Sequence, residues 1–216
     1  VGAGCGSYEL ITLKGLSEIR RAEVIVYDDL IDEHLLEFAQ ESCELIYAGK
    51  RSGRHSKAQE EINELLVAKA LEGKYIVRLK GGDPYVFGRG GEEALALKAH
   101  GIPVHEVPGV TSSIGLCGIA GIPVTHRGAS RGFHVITGHT ADNLPPEVEE
   151  IRWKSYAKLD ETFVFLMGLK SIDMITEKLM RYGKLSDTPV AVIHGENTDG
   201  TYVKLVGTLS DIAAKV

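Results

Sequence analysis

The chain has 216 residues, 44% hydrophobic and 25% charged, with a formal net charge of −6. That supplies an ordinary globular core for one large or two small domains. The acidic balance argues against nucleic-acid binding by bulk electrostatics, and no apolar run reaches the roughly 18 residues of a membrane span.

The chain opens at Val1 inside what reads as the end of a strand. Residues before it are expected, so an absent targeting segment carries little weight. Short β-branched runs then alternate with helical patterns. Strands are expected at Val24–Tyr27, Glu44–Tyr47, 75–79 and 104–107, with helices over about 10–22, 32–40, 58–72 and 92–100. The third helix carries Ile62, Leu65, Leu66 and Ala70 on one face, with Ser56 as its cap and Gln59 three residues on. Gly73 and Gly101 stand where helices should stop. The pattern changes near Pro108-Gly109, where small residues follow (Ser112, Ser113, Gly115, Gly118, Ala120, Gly121). A second set of strands is expected at Phe133–Thr137, Thr162–Leu166, 189–193 and 202–206. Residues 142–150 read as a polar excursion broken by Pro145-Pro146. Such alternation predicts an α/β fold with mainly parallel sheets. The expected architecture is two α/β domains, 1–110 and 111–216, with a ligand cleft between them.

Cys5, Cys43 and Cys117 are widely spaced and form no CxxC pair. Neither a disulfide framework nor a metal site is expected, and a reducing cytoplasm is the expected setting. The most informative stretch is 78–93, RLKGGDPYVFGRGGEE. It joins an apolar strand to a helix through five glycines, a proline, a lysine, an arginine and an aspartate. Glycine lets main chain approach a ligand closely, and a glycine-rich turn at the carboxyl end of a strand is where open α/β sheets bind small molecules. By residue type alone it also reads as a long surface loop. A second glycine run, VGAGCG at 1–6, imitates a dinucleotide fingerprint with Asp28 as the ribose acid. Its third glycine comes one residue early and Ser7 fills the required place, which argues against a dehydrogenase.

Taken together, these blocks resemble the tetrapyrrole methyltransferases, within them the branch acting on uroporphyrinogen III. The resemblance rests on VGAG at 1–4, ELITLK at 9–14, VYD at 26–28, GKR at 49–51 with His55, QEEIN at 59–63 and the whole of 78–93. It continues through VPGVTS at 107–112, GIPVTHR at 121–127, TGH at 137–139, FLMG at 165–168 and GTL at 207–209. It departs at 2–8, GAGCGSY where the family typically reads GAGPGDP, so a proline of fixed φ is lost. It departs again at 194–200, HGENTDG, a residue longer than the family's turn. A final strand of the family, after the Gly207 region, is not in the chain.

The resemblance implies methylation of uroporphyrinogen III at two positions by S-adenosyl-L-methionine, giving precorrin-2 and S-adenosyl-L-homocysteine in siroheme or cobalamin biosynthesis. The implied cofactor contacts are Cys5, Gly81, Gly82, Asp83, Val86, Thr111, Ser112 and Met167, with Asn197 at the family's contacting glycine. Asp28 is implied as the base and Lys50 as the proton donor. By residue type alone, Asp28 is a strand-end turn residue, Lys50 a solvated lysine, Asp83 a turn cap and Met167 a gap-filler of the core. The substrate is a carboxylate-rich tetrapyrrole, so an acidic protein needs local basic groups. Arg51, Arg54 and Arg127 are the expected contacts, in two clusters: Lys50 to Lys57, and Arg127 and Arg131 flanked by His126 and His134. A homodimer is also implied, with neither nucleic acid nor membrane as partner. Two alternatives stand beside this: the same fold acting on another corrin intermediate, and a relative that binds cofactor or tetrapyrrole without turnover.

Overall fold

The structure is a computed structural model and describes residues 1–49, 59–139, 144–196 and 202–216. These fall into two compact units, Val1–Gly115 in the first and Leu116–Gly195 with 202–216 in the second.

In the first unit, helix α1 (Leu13–Arg21) starts at Thr12, whose Oγ1 accepts the Gly15 amide at 3.0 Å. Strand β1 (Val24–Tyr27) pairs in parallel with β2 (Glu44–Tyr47) on one side and β3 (Ile76–Arg78) on the other, Val24 standing opposite Glu44 and Ile76. Helices α2 (Gln59–Leu71) and α3 (Gly90–Ala99) complete the layers. Alternate residues of β1 face opposite sides. Ile25 packs with Ile19, Ala22, Leu35, Val77 and Leu79, while Val24 and Val26 pack with Ala48, Ile62 and Leu66. A strand buried on both faces reads as a continuous apolar run, and each such side chain contributes roughly 1.5–3 kcal/mol. Gly73 and Gly101 end α2 and α3 with φ of +80° and +73°, as expected.

Two expected elements differ. Residues 32–40 form a 3-10 helix, Glu33–Phe38, rather than an α-helix. Its ends are closed by i→i+3 bonds, from the Leu35 amide to the Asp32 carbonyl and from the Ala39 amide to the Leu36 carbonyl. Residues 104–107 form no strand. Pro103 and Pro108 flank them and remove ladder donors, and among the described residues only the Val107 carbonyl is engaged, by the Gly2 amide at 2.8 Å.

Helix α4 (Ser112–Ile119) follows. In the second unit, β4 (Phe133–Thr137) lies parallel to β5 (Thr162–Leu166), with Phe133 opposite Thr162. Helices α5 (Pro146–Lys158) and α6 (Ile172–Arg181) bury Trp153, Ile175 and Leu179 with Leu209. Strands β6 (Pro189–Glu196) and β7 (Tyr202–Thr208) make a separate two-stranded sheet, and α7 (Ile212–Lys215) closes the chain. The polar excursion over 142–150 is therefore corrected. Pro146 starts α5 instead of breaking structure, because the first helical position needs no N–H and suits a proline φ.

Candidate functional site

Beyond β3 the chain turns at Gly81-Gly82, and the backbone of 1–4 runs beside it. Lys80 donates its amide to the Val1 carbonyl at 3.0 Å, Ala3 to Lys80 at 2.8 Å, and Gly82 to Gly4 at 2.6 Å. The segments 1–4, 80–83 and 107–109 meet here through glycine. A Cβ on Gly2 would lie 2.5 Å from the Gly109 nitrogen, and one on Gly109 would lie 2.1 Å from the Gly82 carbonyl oxygen. Gly82 has φ +65°, a conformation glycine adopts without steric cost. Asp83 ties the junction together: Oδ1 accepts the Tyr85 amide at 2.8 Å and Oδ2 the Gly109 amide at 3.2 Å. The turn-capping reading of Asp83 is thus met in full, with lone pairs remaining on both oxygens. The Gly82 amide points at Gly4 rather than outward. The Gly81 amide has no hydrogen-bond partner among the described residues.

The loop that follows is strained. Val86 closes a turn onto the Asp83 carbonyl at 3.2 Å, and then Phe87 and Arg89 take φ of 55° and 57°. Gly88 and Gly90 fit against the Pro84 carbonyl, where a Cβ would come within 2.7 Å and 2.6 Å. Thr111 accepts the Ile114 and Gly115 amides on its carbonyl at 3.1 and 2.9 Å and so starts α4, in which Ser112 is the first residue. The nearest neighbour of a Cβ on Gly82 would be the Thr111 Cα, at 3.8 Å. Cys5 is buried, and its Sγ would lie 2.5 Å from a Cβ on Gly115. Cys5, Gly82, Asp83 and Thr111 therefore belong to one neighbourhood within the first unit.

A buried ionic network underlies the strand ends. Arg78 Nη2 lies 2.9 Å from Asp28 Oδ2, and Arg78 Nε lies 3.2 Å from Glu93 Oε1. The same oxygen takes Lys80 Nζ at 3.0 Å and Gln59 Nε2 at 3.3 Å. Asp28 also accepts the Leu30 amide at 3.1 Å, so its turn role and its ion pair coexist. Lys80 is held below the ordinary lysine range, first by burial and then by the Arg78 charge, against the pull of Glu93. Sequence reasoning did not single out Arg78, Lys80 or Glu93 for this network. The available signal was two cations, Arg78 and Lys80, alternating with the buried apolar residues Val77 and Leu79. A cavity of about 910 Å³ opens between β3 and residues 102–107, lined by Val1, Tyr75, Arg78, Lys80, Glu93 and Val107 among others. It follows the gap left where 104–107 fail to pair.

The family model of tetrapyrrole (corrin/porphyrin) methylases matches residues 1–213. The chain belongs to the tetrapyrrole methylases. This tetrapyrrole methylase is 51% identical to a uroporphyrinogen-III C-methyltransferase of Methanocaldococcus jannaschii, over 100% of this chain and 87% of that protein. It is 48% identical to another of that name from Priestia megaterium, over 98% and 89%. A crystal structure of uroporphyrin-III C-methyltransferase from Thermus thermophilus, complexed with S-adenosyl homocysteine, superposes with a TM-score of 0.78 at 36% identity, covering 100% of this chain and 89% of that one. The α/β architecture and the family resemblance hold.

Lys50, Arg51, Arg54 and Asn197 lie outside the described residues. Met167, in the second unit, follows β5 with φ 58°, half exposed. With Phe87 and Arg89 it completes the non-glycine residues of positive φ among those described. Each such conformation costs about 1–3 kcal/mol and persists where surrounding structure enforces it. All three fall in the 78–93 and 165–168 blocks. Next to Met167, a Cβ on Gly138 would lie 2.3 Å from the Gly168 Cα. Arg127 is exposed in a tight loop closed by paired bonds between His126 and Ser130, at 3.0 and 2.9 Å. His134 is engaged elsewhere in the second unit. It bonds to Glu161 and stacks on Phe163 at 5.0 Å.

Proposed function

We propose that this tetrapyrrole methylase transfers two methyl groups from S-adenosyl-L-methionine to uroporphyrinogen III, giving precorrin-2 and S-adenosyl-L-homocysteine. The observation that carries the reading is the side-chain-free junction where Gly2 and Gly109 meet Gly82, beyond the carboxyl end of the parallel strand β3, in a chain about half identical to proteins named for that reaction. Such a junction suits a ligand that needs close backbone approach, and the Gly81 amide, which has no hydrogen-bond partner among the described residues, and the Asp83 carboxylate two residues on supply a donor and an acceptor of the kind such a ligand requires.

When bound, the cofactor supplies a methyl carbon activated on a sulfonium. The protein's part is to hold the acceptor carbon in line with it, a task of positioning. Gly81, Gly82, Asp83, Val86, Thr111, Ser112 and Cys5 would hold the cofactor from the first unit, with Met167 and Asn197 contributing from their own segments. Methylation leaves a cationic ring that must lose a proton. Asp28 is the carboxylate assigned to that charge or proton, and its pairing with Arg78 fixes where its Oδ2 points. Lys50 is assigned as proton donor, and Arg51, Arg54 and Arg127 as partners of the substrate's carboxylates. A cytoplasmic homodimer belongs to the same reading, and sedimentation tests the dimer.

Mass spectrometry of the product from uroporphyrinogen III and S-adenosyl-L-methionine, under anaerobic conditions with folded protein, is the decisive experiment. Two added methyl groups support the reading, and none overturns it. The departure of 2–8 from the family pattern favours a second reading, a binding protein without turnover. Against it, Ser7 Oγ accepts the Glu9 amide at 3.2 Å and so caps the 3-10 helix Tyr8–Leu10, work that aspartate does equally well. Combined Cys5→Pro and Ser7→Asp substitution separates the two. A large gain in turnover favours the impaired loop, and little change from an active baseline favours the enzyme.

A further inference from the structure

The loop Gly4 to Tyr8 carries two glycines of left-handed backbone, Gly4 at φ +80° and Gly6 at +78°, with no proline among residues 1–83. Glycine is the residue with most freedom to lose on folding, so a loop of this kind needs an external restraint to hold one shape. Its near end is bonded to the glycine turn, since Gly4 and Gly82 exchange amide-to-carbonyl bonds of 2.6 and 3.2 Å. Its far end is held by Asp32. That carboxylate is almost wholly buried, with 1% of the side chain exposed. Oδ2 accepts the Tyr8 amide at 2.9 Å, and Oδ1 accepts the His34 amide at 3.0 Å and bonds His34 Nδ1 at 2.7 Å. The Tyr8 ring packs on the same element, 5.8 Å from the His34 ring and 6.2 Å from that of Phe38.

We propose that Asp32 is a positioning residue for the cofactor site: it clamps the Tyr8 amide and thereby sets the Cys5–Tyr8 loop against the Gly81–Asp83 turn. The proposal rests on the cofactor reading above. In this role Asp32 acts through the loop, pre-organising a segment that would otherwise be ordered at the expense of binding energy. A covalent restraint can replace the clamp. Ser7 is extended, with φ −72° and ψ 144°, and Tyr8 opens a 3-10 helix. Extended backbone before, and a helical first position at, residue 8 are what proline requires. A proline there has no N–H and needs no Asp32.

The test is calorimetric titration of S-adenosyl-L-homocysteine into the wild type, Asp32→Ala, Tyr8→Pro and the double variant. Asp32→Ala is expected to bind about 10-fold or more weakly and Tyr8→Pro within about 3-fold of wild type, with the double variant recovering most of the loss. Asp32→Asn, which keeps the volume and one acceptor, is expected to fall between and serves if the alanine variant does not fold. Wild-type affinity in Asp32→Ala and Asp32→Asn overturns the proposal. Failure of Tyr8→Pro to rescue also overturns it, because the loss would then come from the uncapped 3-10 helix Glu33–Phe38, which proline at residue 8 does not mend. Wild-type protein that binds no ligand overturns the cofactor reading instead. The clamp is then read by hydrogen exchange of residues 4–8 in Asp32→Ala, and unchanged protection there sinks it.

Discussion

Lys80 is buried against Glu93, with Nζ 3.0 Å from Oε1 and both residues less than a tenth exposed. Arg78 and Gln59 share the same oxygen. Glu93→Ala would leave two cations with one carboxylate, Asp28, between them. Breaking a buried pair by removing one partner costs about 3–5 kcal/mol, and that loss is the expected outcome in urea denaturation. Lys80, already pushed down by burial, would lose the larger of the two carboxylate charges that oppose this, Glu93 and Asp28, and give up its proton more readily. Glu93→Gln keeps an acceptor and should lose less. Equal stability of wild type and Glu93→Ala would show that the network contributes nothing.

Asp28 sits at the far side of that network, bonded to Arg78 and with a fifth of its side chain exposed. Asp28→Asn retains an oxygen for the Leu30 amide or for Arg78, so the turn should survive. Turnover of uroporphyrinogen III is expected to fall about 100-fold or more, the usual scale for a lost acid–base group, with S-adenosyl-L-homocysteine affinity within about 3-fold of wild type. A parallel loss of both would make Asp28 a structural residue.

Which of these features the sequence displays follows from their range. Val24–Tyr27, Glu44–Tyr47, Phe133–Thr137 and Thr162–Leu166 are where the apolar runs place them, because a short β-branched or aromatic run is a local signal of a strand. Residues 104–107 carry a valine at each end and yet form no strand, since the prolines that flank them remove ladder donors. Pro146 misleads in the other direction, starting a helix where it reads as a break. The glycine junction is half visible: the glycines are plain in the chain, but the meeting of Gly2, Gly82 and Gly109 is a tertiary fact. The pairings Arg78–Asp28, Lys80–Glu93 and Tyr8–Asp32 span 50, 13 and 24 residues, and no local spacing encodes them.

The Asp32–His34 pair gives a pH window for stability. The His34 imidazole is raised above its ordinary value, first by the hydrogen bond to Asp32 and then by that carboxylate's charge. Asp32 is lowered: burial alone would raise it, but bonds from the His34 ring and the His34 and Tyr8 amides outweigh burial. Stability from a raised histidine is complete below its unfolded value of about 6.5 and is lost as pH rises through the folded value. Stability from a depressed aspartate is complete above about 3.9 and is lost as pH falls through its lower folded value. Both are present between about pH 4 and 6.5. Thermal melting across pH should show the advantage of wild type over His34→Ala greatest in that window and shrinking above it. A difference that grows above neutral pH would contradict the pairing.

Three glycines separate backbone strain from crowding. Gly73 has φ +80° with open space around it, and Gly82 has φ +65° with its nearest neighbour at 3.8 Å. Gly73→Ala and Gly82→Ala should each cost about 1–2 kcal/mol, the penalty of left-handed backbone for an alanine. Gly109 has no such φ, but its Cβ would lie 2.1 Å from the Gly82 carbonyl oxygen and 2.8 Å from the Gly2 Cα. Both neighbours are backbone, so no side chain can swing away, and segment 1–4 or 80–83 must move. Gly109→Ala should therefore cost about 1–3 kcal/mol by overpacking. It should also weaken S-adenosyl-L-homocysteine binding, since it displaces the turn that bears Gly81 and Asp83. Gly73→Ala, at the end of α2, should leave binding unchanged. If Gly109→Ala binds as wild type does while losing stability, the junction is only structural and the cofactor lies elsewhere.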